Sequence, residues 1–434
     1  MDKSELAFLG GEPSIKTELM KFNTIGKEEE HAVSEVIKSG VLSKYVGSWD
    51  EDFYGGSNVK SFENACSKYF GVKYSIAVNS WTSGLICAIG AIGVEPGDEV
   101  IVSTWTMCAC ATAIIHWNAI PIFADVEENT FNICSKSIED NITDKTKAIL
   151  AIDIFGHPCD YDKLNKICEK HGLILITDSA QAPGAFYKSK MTSTQSDIGG
   201  FSLNYHKHIH TGEGGIIVTN NELFYKKMIL IRNHGEAVVD DMKFDDITNI
   251  IGYNFRMGEI EASIGLEQLK KLSKIIEKKQ AIGNKITNGL RKISGLNTPK
   301  IEKDCSHSYY VYPLTLDNKI IKTSREKIIY ALEKEGVKGL FGGYANIHLL
   351  PMFQKKIAYG KNGFPWNHVS SRKNIKYEKG ICPVAEELND KTFFGIELCL
   401  YDYDEKNINE LINAFSKVFK NLDKVEKVKL NEFQ

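Results

Sequence analysis

The sequence predicts an α/β protein with a large domain built on a mostly parallel, helix-covered sheet and a smaller α+β C-terminal domain. Between about residues 70 and 235, short β-branched runs alternate with amphipathic helical stretches. This alternation is typical of a parallel sheet with helices on its faces. A long helical stretch and then a mixture of strands and helices follow. We expect the large domain to span 1–255, and the connecting helix with the small domain to span 256–434.

Short apolar runs are expected to form the strands of the large sheet, because β-branched residues fill them and helical segments such as YDKLNKICEKHG separate them. The runs are YSIAVNS (74–80), EVIVST (99–104), IPIFAD (120–125), KAILAIDIFG (147–156), LILITD (173–178), GGFSLN (199–204) and GGIIVT (214–219).

The second half begins with a helix expected from about Arg256 to about Leu290, where apolar residues recur at helical spacing. Strands are expected at YYVYPLTL (309–316) and FGIELCL (394–400), with helices at SREKIIYALEKEG and KNINELINAFSKVFKNL. Between them, 343–383 is irregular and rich in aromatics, Gly and Lys. Loops of this length are usually functional or disordered. Its candidate ligand contacts are Tyr344, His348, Trp366, His368 and Arg372, most of which we expect to be structural.

Composition excludes several classes of partner. There are 53 Lys and Arg against 56 Asp and Glu, and neither half has a large basic excess, so we expect no nucleic-acid or membrane-surface partner. No run approaches the roughly 18 apolar residues of a membrane span. The start, MDKSELAFLGGEPS, does not resemble a signal peptide. The ten cysteines contain no CxxC pair, which favours reduced thiols, a cytoplasmic protein and no metal site.

Two segments combine a strand end with polar side chains. NSWTSGL (79–85) opens a helix directly after a strand, and a helix N-terminus suits a phosphate, although taken alone this segment is better explained as an ordinary N-cap. ITDSAQAPGA (176–185) ends a strand at Asp178, where ligands of such sheets bind. A carboxylate there could pair with a protonated heterocycle nitrogen, or it could cap a helix.

The most informative stretch is GGFSLNYHKHIHTGEGGIIVT (199–219), in which a strand enters a polar turn and returns through Gly-Glu-Gly-Gly. Its three histidines do not have the spacing of a zinc site. Lys207, held between two strands, could be desolvated enough to form an imine, although alone it would more often be a surface lysine. GYNFRMGEIEA (252–262) is a further polar turn before the long helix.

Together these segments resemble the DegT/DnrJ/EryC1/StrS family of sugar aminotransferases, which use pyridoxal 5′-phosphate (PLP). PGDEVIVSTWT, PIFADVEENTFNI, DSAQAPGA, FSxxxxKxxxxGEGG and GYNFRM follow one another as in that family. The resemblance runs from GGEPS to the last helix. It implies the PLP-dependent transferase fold type I, with a seven-stranded sheet in the large domain, and a homodimer whose active sites lie between subunits.

The resemblance also implies roles for single residues. Lys207 matches the catalytic Schiff-base lysine, Asp178 the partner of the pyridinium nitrogen, and Gln181 the side chain beside the ring hydroxyl. Trp81, Thr82 and Ser202 match phosphate-binding positions, and Asn254 matches the amide that reaches the partner's cofactor. A buried Asp178 would keep the ring protonated, and Lys207 would move the substrate proton.

Three residues depart from the family pattern. Trp81 replaces a small residue, and Pro183 stands where many members have His. Met107 occupies the place of the aromatic that stacks on the PLP ring, so either Met107 or a tryptophan, Trp81 or Trp105, is expected to cover that ring. These departures affect ring stacking and substrate fit rather than cofactor binding.

We therefore expect an aminotransferase that moves an amino group from L-glutamate or L-glutamine to a keto sugar, one linked to a nucleotide. A cyclitol ketone or a small phosphorylated ketone is the alternative acceptor. Related PLP- or PMP-dependent sugar dehydratases of the 3-dehydratase type have His in place of the lysine, so Lys207 disfavours dehydration. A PLP-binding protein without catalysis is disfavoured because Lys207, Asp178 and Gln181 are all present.

Overall fold

The computed structural model describes residues 5–429, which form three sheets and thirteen α-helices. In chain order the first nine strands are β1 (Tyr74–Val78), β2 (Glu99–Ser103), β3 (Ile120–Ala124), β4 (Thr146–Ile152), β5 (Ile174–Asp178), β6 (Phe186–Tyr187), β7 (Lys190–Met191), β8 (Ile198–Ser202) and β9 (Gly215–Thr219). All the runs that the sequence assigned to the large sheet are strands within a few residues of their predicted bounds.

The large sheet has seven strands in the order β1-β9-β8-β5-β4-β2-β3, while β6 and β7 pair only with each other. Its strands are parallel except β9, which runs antiparallel to both β1 and β8. Residues 203–214 join β8 to β9 without a helix, whereas a parallel connection usually crosses over through one. The predicted mostly parallel, seven-stranded sheet is therefore confirmed.

The helices follow the predicted alternation with the strands. They are α1 (Lys27–Ser39), α2 (Ser57–Phe70), α3 (Trp81–Ala91), α4 (Ala109–His116), α5 (Ser135–Asn141), α6 (Tyr161–His171), α7 (Glu222–Arg232), α8 (Glu259–Leu290), α9 (Arg325–Lys334), α10 (Pro351–Lys355), α11 (Pro383–Glu387), α12 (Glu405–Lys420) and α13 (Leu422–Val425). Helix α3 is apolar nearly all round because it is covered by the sheet, α4 and α7. Within residues 5–429, no helix is long and apolar enough to cross a membrane.

The second half contains a four-stranded antiparallel sheet in the order β10-β11-β13-β12. Its strands are β10 (Leu296–Asn297), β11 (Tyr312–Leu316), β12 (Leu340–Gly342) and β13 (Phe393–Ile396). The long helix α8 precedes it and packs on α1, α2 and α12. The division into 1–255 and 256–434 stays a prediction, and its first four and last five residues lie outside the described chain. Each sheet falls within one of these ranges.

Residues 343–383 cover the edge strand β3 of the large sheet. Phe123 of β3 packs against Phe353 and Tyr377, with ring centroids 5.1 and 5.4 Å apart. The Tyr377 hydroxyl donates to the Pro121 carbonyl at 2.8 Å and accepts from Trp366 Nε1 at 2.9 Å. An uncovered edge strand invites pairing with other chains. This segment therefore shields the sheet, which the sequence could not indicate because its aromatics have no regular spacing.

Arg372 belongs to this packing, because its Nε donates to Glu99 Oε1 at 2.7 Å and the Glu99 side chain is fully buried. Arg372→Met would leave a buried carboxylate without its cation, so we expect the free energy of unfolding to fall by about 2 kcal/mol. Denaturant unfolding measures this, with the exposed neighbour in Lys373→Met as the control. Equal stability of the two variants, or a raised KM for a substrate in Arg372→Met, would contradict a purely structural role.

Candidate active site

The predicted site residues converge at the carboxyl edge of the large sheet. Strand β5 ends at Asp178, which pairs with Gly200 of the parallel strand β8. Strand β8 ends at Ser202, whose antiparallel partner in β9 is Gly215. Gly215 also pairs with Val78, the last residue of β1. Ligands of open α/β sheets bind at this edge, so the topology gathers residues that are distant in sequence.

The start of α3 offers an anion-binding site next to Ser202. Ser80 caps the helix by accepting from the Ser83 N–H at 3.1 Å. Trp81 and Thr82 are the first two helical residues, and N–H groups at that position have no intrahelical partner. A Cβ on Gly215 would lie 2.8 Å from the Trp81 nitrogen, so only glycine lets β9 approach the helix this closely. Hydroxyls and N–H groups thus surround a place that suits a phosphate.

Asp178 is a buried carboxylate with two donors. Its Oδ1 accepts from the Ala180 N–H at 2.9 Å, and its Oδ2 accepts from Cys110 Sγ at 3.1 Å. Burial raises the pKa of the Asp178 carboxyl, while these hydrogen bonds, the Trp81 indole and the positive charge of Lys207 act to lower it. A cation placed opposite this carboxylate would be stabilised by it.

Lys207 lies in the turn between β8 and β9, with its Nζ 4.2 Å from the centroid of the Tyr310 ring. Burial lowers the pKa of Lys207 to about 8, against the opposing attraction of Asp178. At pH 7.5 about a quarter of such a side chain is a neutral amine, compared with about one in a thousand for a free lysine. Lys207 is therefore prepared to act as a nucleophile and a base.

Gln181 connects the site to residues 343–383. Its Nε2 donates to the Tyr344 hydroxyl at 3.1 Å, and its Oε1 accepts from the Phe155 N–H at 2.7 Å. Among the five candidate contacts in this segment, Tyr344 lies beside a predicted site residue. Trp366 and Arg372 contact the opposite part of the sheet, and His348 is buried between Thr104 and Glu386.

Met107 and Asn254 are exposed, and the Asn254 carbonyl accepts from Asn79 Nδ2 at 3.3 Å, close to the start of α3. Met107 is 62% exposed, so it is free to cover a ligand. Trp105 is fully buried and donates from Nε1 to Asn346 Oδ1 at 2.9 Å, which commits it to the core. Asn254 is exposed and accepts from Arg256 Nε at 2.7 Å.

A cavity of about 430 Å³ is lined in part by Tyr310, the residue whose ring contacts Lys207. Its walls include aromatic rings, a histidine and one carboxylate, contributed by Tyr205, His206, Tyr310, Phe341, Tyr344 and Glu397. Burial raises the pKa of Glu397. Sequence reasoning missed Cys110, Tyr310 and Glu397. Tyr310 was assigned to a strand that in fact begins at Tyr312. No local sequence pattern distinguishes Cys110 or Glu397.

The histidines near Lys207 have roles in packing. His208 is buried, and its Nε2 lies 2.9 Å from the Ser308 carbonyl oxygen. His206 lines the cavity, and burial lowers its pKa to about 4, so it is neutral at physiological pH. Across residues 5–429, no three or more His, Cys, Asp or Glu side chains form a group that could hold a metal ion.

The start of α3, Asp178 and Lys207 carry chemical groups that fit PLP. A helix start with hydroxyls suits its phosphate, a buried carboxylate suits its protonated ring nitrogen, and an amine of lowered pKa suits its aldehyde. The buried indole N–H of Trp81 has no hydrogen-bond partner among the described atoms, and it lies in this same region. When bound, PLP supplies an electron sink for chemistry at the carbon that bears the amino group.

Comparison with known proteins agrees with this fit. The model of the DegT/DnrJ/EryC1/StrS aminotransferase family matches residues 23–378. The chain is 33% identical over 347 residues to the spore coat polysaccharide biosynthesis protein SpsC of Bacillus subtilis, covering 79% of this chain and 86% of that one. It is 33% identical over 333 residues to the GDP-perosamine synthase of Escherichia coli O157:H7, covering 76% and 85%.

A solved structure extends the similarity to the whole fold. The aminotransferase from Psychrobacter cryohalolentis superposes with a TM-score of 0.79 and 29% identity, covering 94% of this chain and 100% of that one. The architecture is that of the PLP-dependent transferases of fold type I, as the sequence predicted. The chain therefore belongs to the DegT/DnrJ/EryC1/StrS aminotransferase family and is a PLP-dependent aminotransferase.

Proposed function

We propose that this enzyme transfers an amino group from L-glutamate or L-glutamine to a keto sugar linked to a nucleotide, using Lys207 as its catalytic residue. The observation that carries the proposal is the state of Lys207, a desolvated amine whose pKa is lowered to about 8 beside the buried Asp178. When PLP is bound, the Lys207 amine would hold it at its aldehyde carbon, and PLP would supply the electron sink. Once displaced by the donor, the Lys207 amine moves the substrate proton.

The other site residues take supporting roles in this proposal. Trp81, Thr82 and Ser202 bind the phosphate, and Asp178 holds the ring nitrogen protonated. Gln181 lies beside the ring hydroxyl, held by Tyr344 and the Phe155 N–H. Met107 covers the ring, since Trp105 is committed to the core. Each assignment rests on the position of these residues around one end of the sheet.

The acceptor is proposed to bind in the cavity that Tyr310 lines. Aromatic walls such as Tyr310 and Tyr344 suit the C–H faces of a sugar, and the Glu397 carboxylate can accept hydrogen bonds from its hydroxyls. The similarity to GDP-perosamine synthase favours a nucleotide-linked sugar over a cyclitol or a small phosphorylated ketone. Dehydration is disfavoured because a lysine, rather than a histidine, adjoins Asp178, while His208 is bonded to the Ser308 carbonyl.

We also propose that the enzyme is a cytoplasmic homodimer whose active sites include residues from both subunits. Asn254 is exposed, and next to it Arg256 contacts the Tyr45 ring at 5.7 Å. The neighbouring residues Val46 and Trp49 are 36% and 43% exposed, so they add apolar side chains to the surface around Asn254. We propose that this surface forms the subunit interface and so brings Asn254 to the partner's cofactor.

Absorbance spectroscopy tests the donor and the acceptor in turn. We expect the purified enzyme to have a visible band that L-glutamate or L-glutamine bleaches, and the donor that bleaches it at lower concentration is the preferred one. After removal of the donor, a nucleotide-linked keto sugar should restore the band. Restoration by scyllo-inosose alone would favour a cyclitol acceptor. A band that neither amino acid changes would contradict aminotransfer from these donors.

A further inference from the structure

The Trp81 side chain lies in a slot formed by two glycines. A Cβ on Gly200 would lie 2.1 Å from Trp81 Cζ3, and one on Gly84 would lie 2.7 Å from Trp81 Cε3. No side chain larger than hydrogen is therefore compatible with the indole at either place. Because Gly200 is the strand partner of Asp178, the slot holds the indole beside that carboxylate.

The indole N–H lacks a hydrogen-bond acceptor, and the Asp178 carboxylate can accept further hydrogen bonds. Trp81 is 5% exposed, and its Nε1 has no hydrogen-bond partner among the described atoms. The Asp178 carboxylate can accept about four hydrogen bonds, and it receives two, from Ala180 and Cys110. The indole lies close enough to lower the pKa of Asp178, although the two groups do not meet in hydrogen-bond geometry. Leaving a buried N–H unpaired is unfavourable, so a small shift would satisfy both groups.

We propose that Trp81 is a positioning residue, whose indole N–H is a third donor to Asp178 and holds that carboxylate charged beneath the PLP ring nitrogen. This inference rests on the proposed role of Asp178. The titratable groups that face the carboxylate are Cys110, Lys207 and Tyr344. Burial raises the pKa of the Cys110 thiol and of the Tyr344 hydroxyl, so both stay neutral.

Trp81→Phe tests the proposal, since it keeps an aromatic ring and removes the N–H. The apoenzyme is titrated with PLP between pH 5.5 and 8.5, and free PLP is measured after ultrafiltration. We expect PLP to bind about tenfold more weakly at pH 7, as for the loss of one hydrogen bond to a charged group. As the pH is lowered, the PLP affinity of Trp81→Phe should begin to fall at a higher pH than that of the wild type. The reason is that Asp178 without this donor is protonated more easily.

Replacement of Trp81 by 3-benzothienylalanine is the matched control for packing, since sulfur replaces the N–H within the same shape. It should reproduce both effects. Wild-type affinity in this variant, or a loss that is equal at every pH, would overturn the proposal. Asp178→Asn tests the proposed role of Asp178 separately from that of Trp81. If it leaves PLP affinity unchanged, the proposed role of Asp178 fails. If it weakens binding while the Trp81 variants do not, only the role of Trp81 fails.

Discussion

Lys207→Ala is expected to lower kcat/KM for aminotransfer by more than about a thousandfold, because it removes both the nucleophile and the base. The visible absorbance band should disappear, while PLP held by its phosphate and ring contacts should still bind. Lys207→Arg keeps a positive charge near Asp178 but cannot form a Schiff base, so it should be equally inactive. The measurements are steady-state kinetics and absorbance spectra.

Lys279 provides the matched control for this experiment. It is also buried with its pKa lowered to about 8, but its Nζ donates to the carbonyls of Leu398, Cys399 and Tyr401 at 2.9, 3.3 and 2.8 Å. Lys279→Met should therefore reduce stability and leave the visible band in place. If Lys279→Met abolished the band and Lys207→Ala preserved it, the assignment of the catalytic lysine would be wrong.

Mixing two inactive variants is expected to restore activity if the site is shared between subunits. In a heterodimer of Lys207→Ala and Asn254→Asp chains, one site has both the native lysine and the native asparagine, and the other has neither. Asn254→Asp is expected to be inactive alone because its charge repels the phosphate. When subunits exchange freely at equal amounts, half of the dimers are mixed, so activity should return to about a quarter of wild type.

Lys207→Ala mixed with Asp178→Ala is the control for complementation. Both residues belong to the site of a single chain, so no arrangement of these subunits gives an intact site, and the mixture should stay inactive. If this mixture recovered activity and the Asn254→Asp mixture did not, Asn254 would not serve the partner's site. Subunit exchange is followed separately by native mass spectrometry.

The sequence predicted those parts of the fold that depend on local pattern. Apolar runs such as LILITD (173–178) are buried on both faces, so composition alone identifies them as strands. Lys207 and Asp178 were found because fixed local motifs surround them. Sequence did not reveal Cys110, because its thiol in α4 reaches Asp178 at the end of β5 across 68 residues of sequence. Residues 343–383 could not be placed either, because their contacts with β3 join segments more than 200 residues apart.

Trp81 is a further residue whose surroundings the sequence could not predict. Its motif predicted a helix start near a phosphate, and the side chain was expected to affect only ring stacking and substrate fit. Only the fold brings Gly84 and Gly200 together to accommodate the indole beside Asp178. A residue that departs from a family pattern can therefore have a role that depends on residues distant from it in the sequence.

The most direct test of the central claim is to locate the lysine that binds PLP. The purified enzyme is reduced with sodium borohydride, digested and analysed by mass spectrometry. We predict that the reduced cofactor is attached to the peptide containing Lys207, and that the Lys207→Ala enzyme carries no such label. Attachment to Lys279 or another lysine, or no attachment in the wild type, would contradict the account.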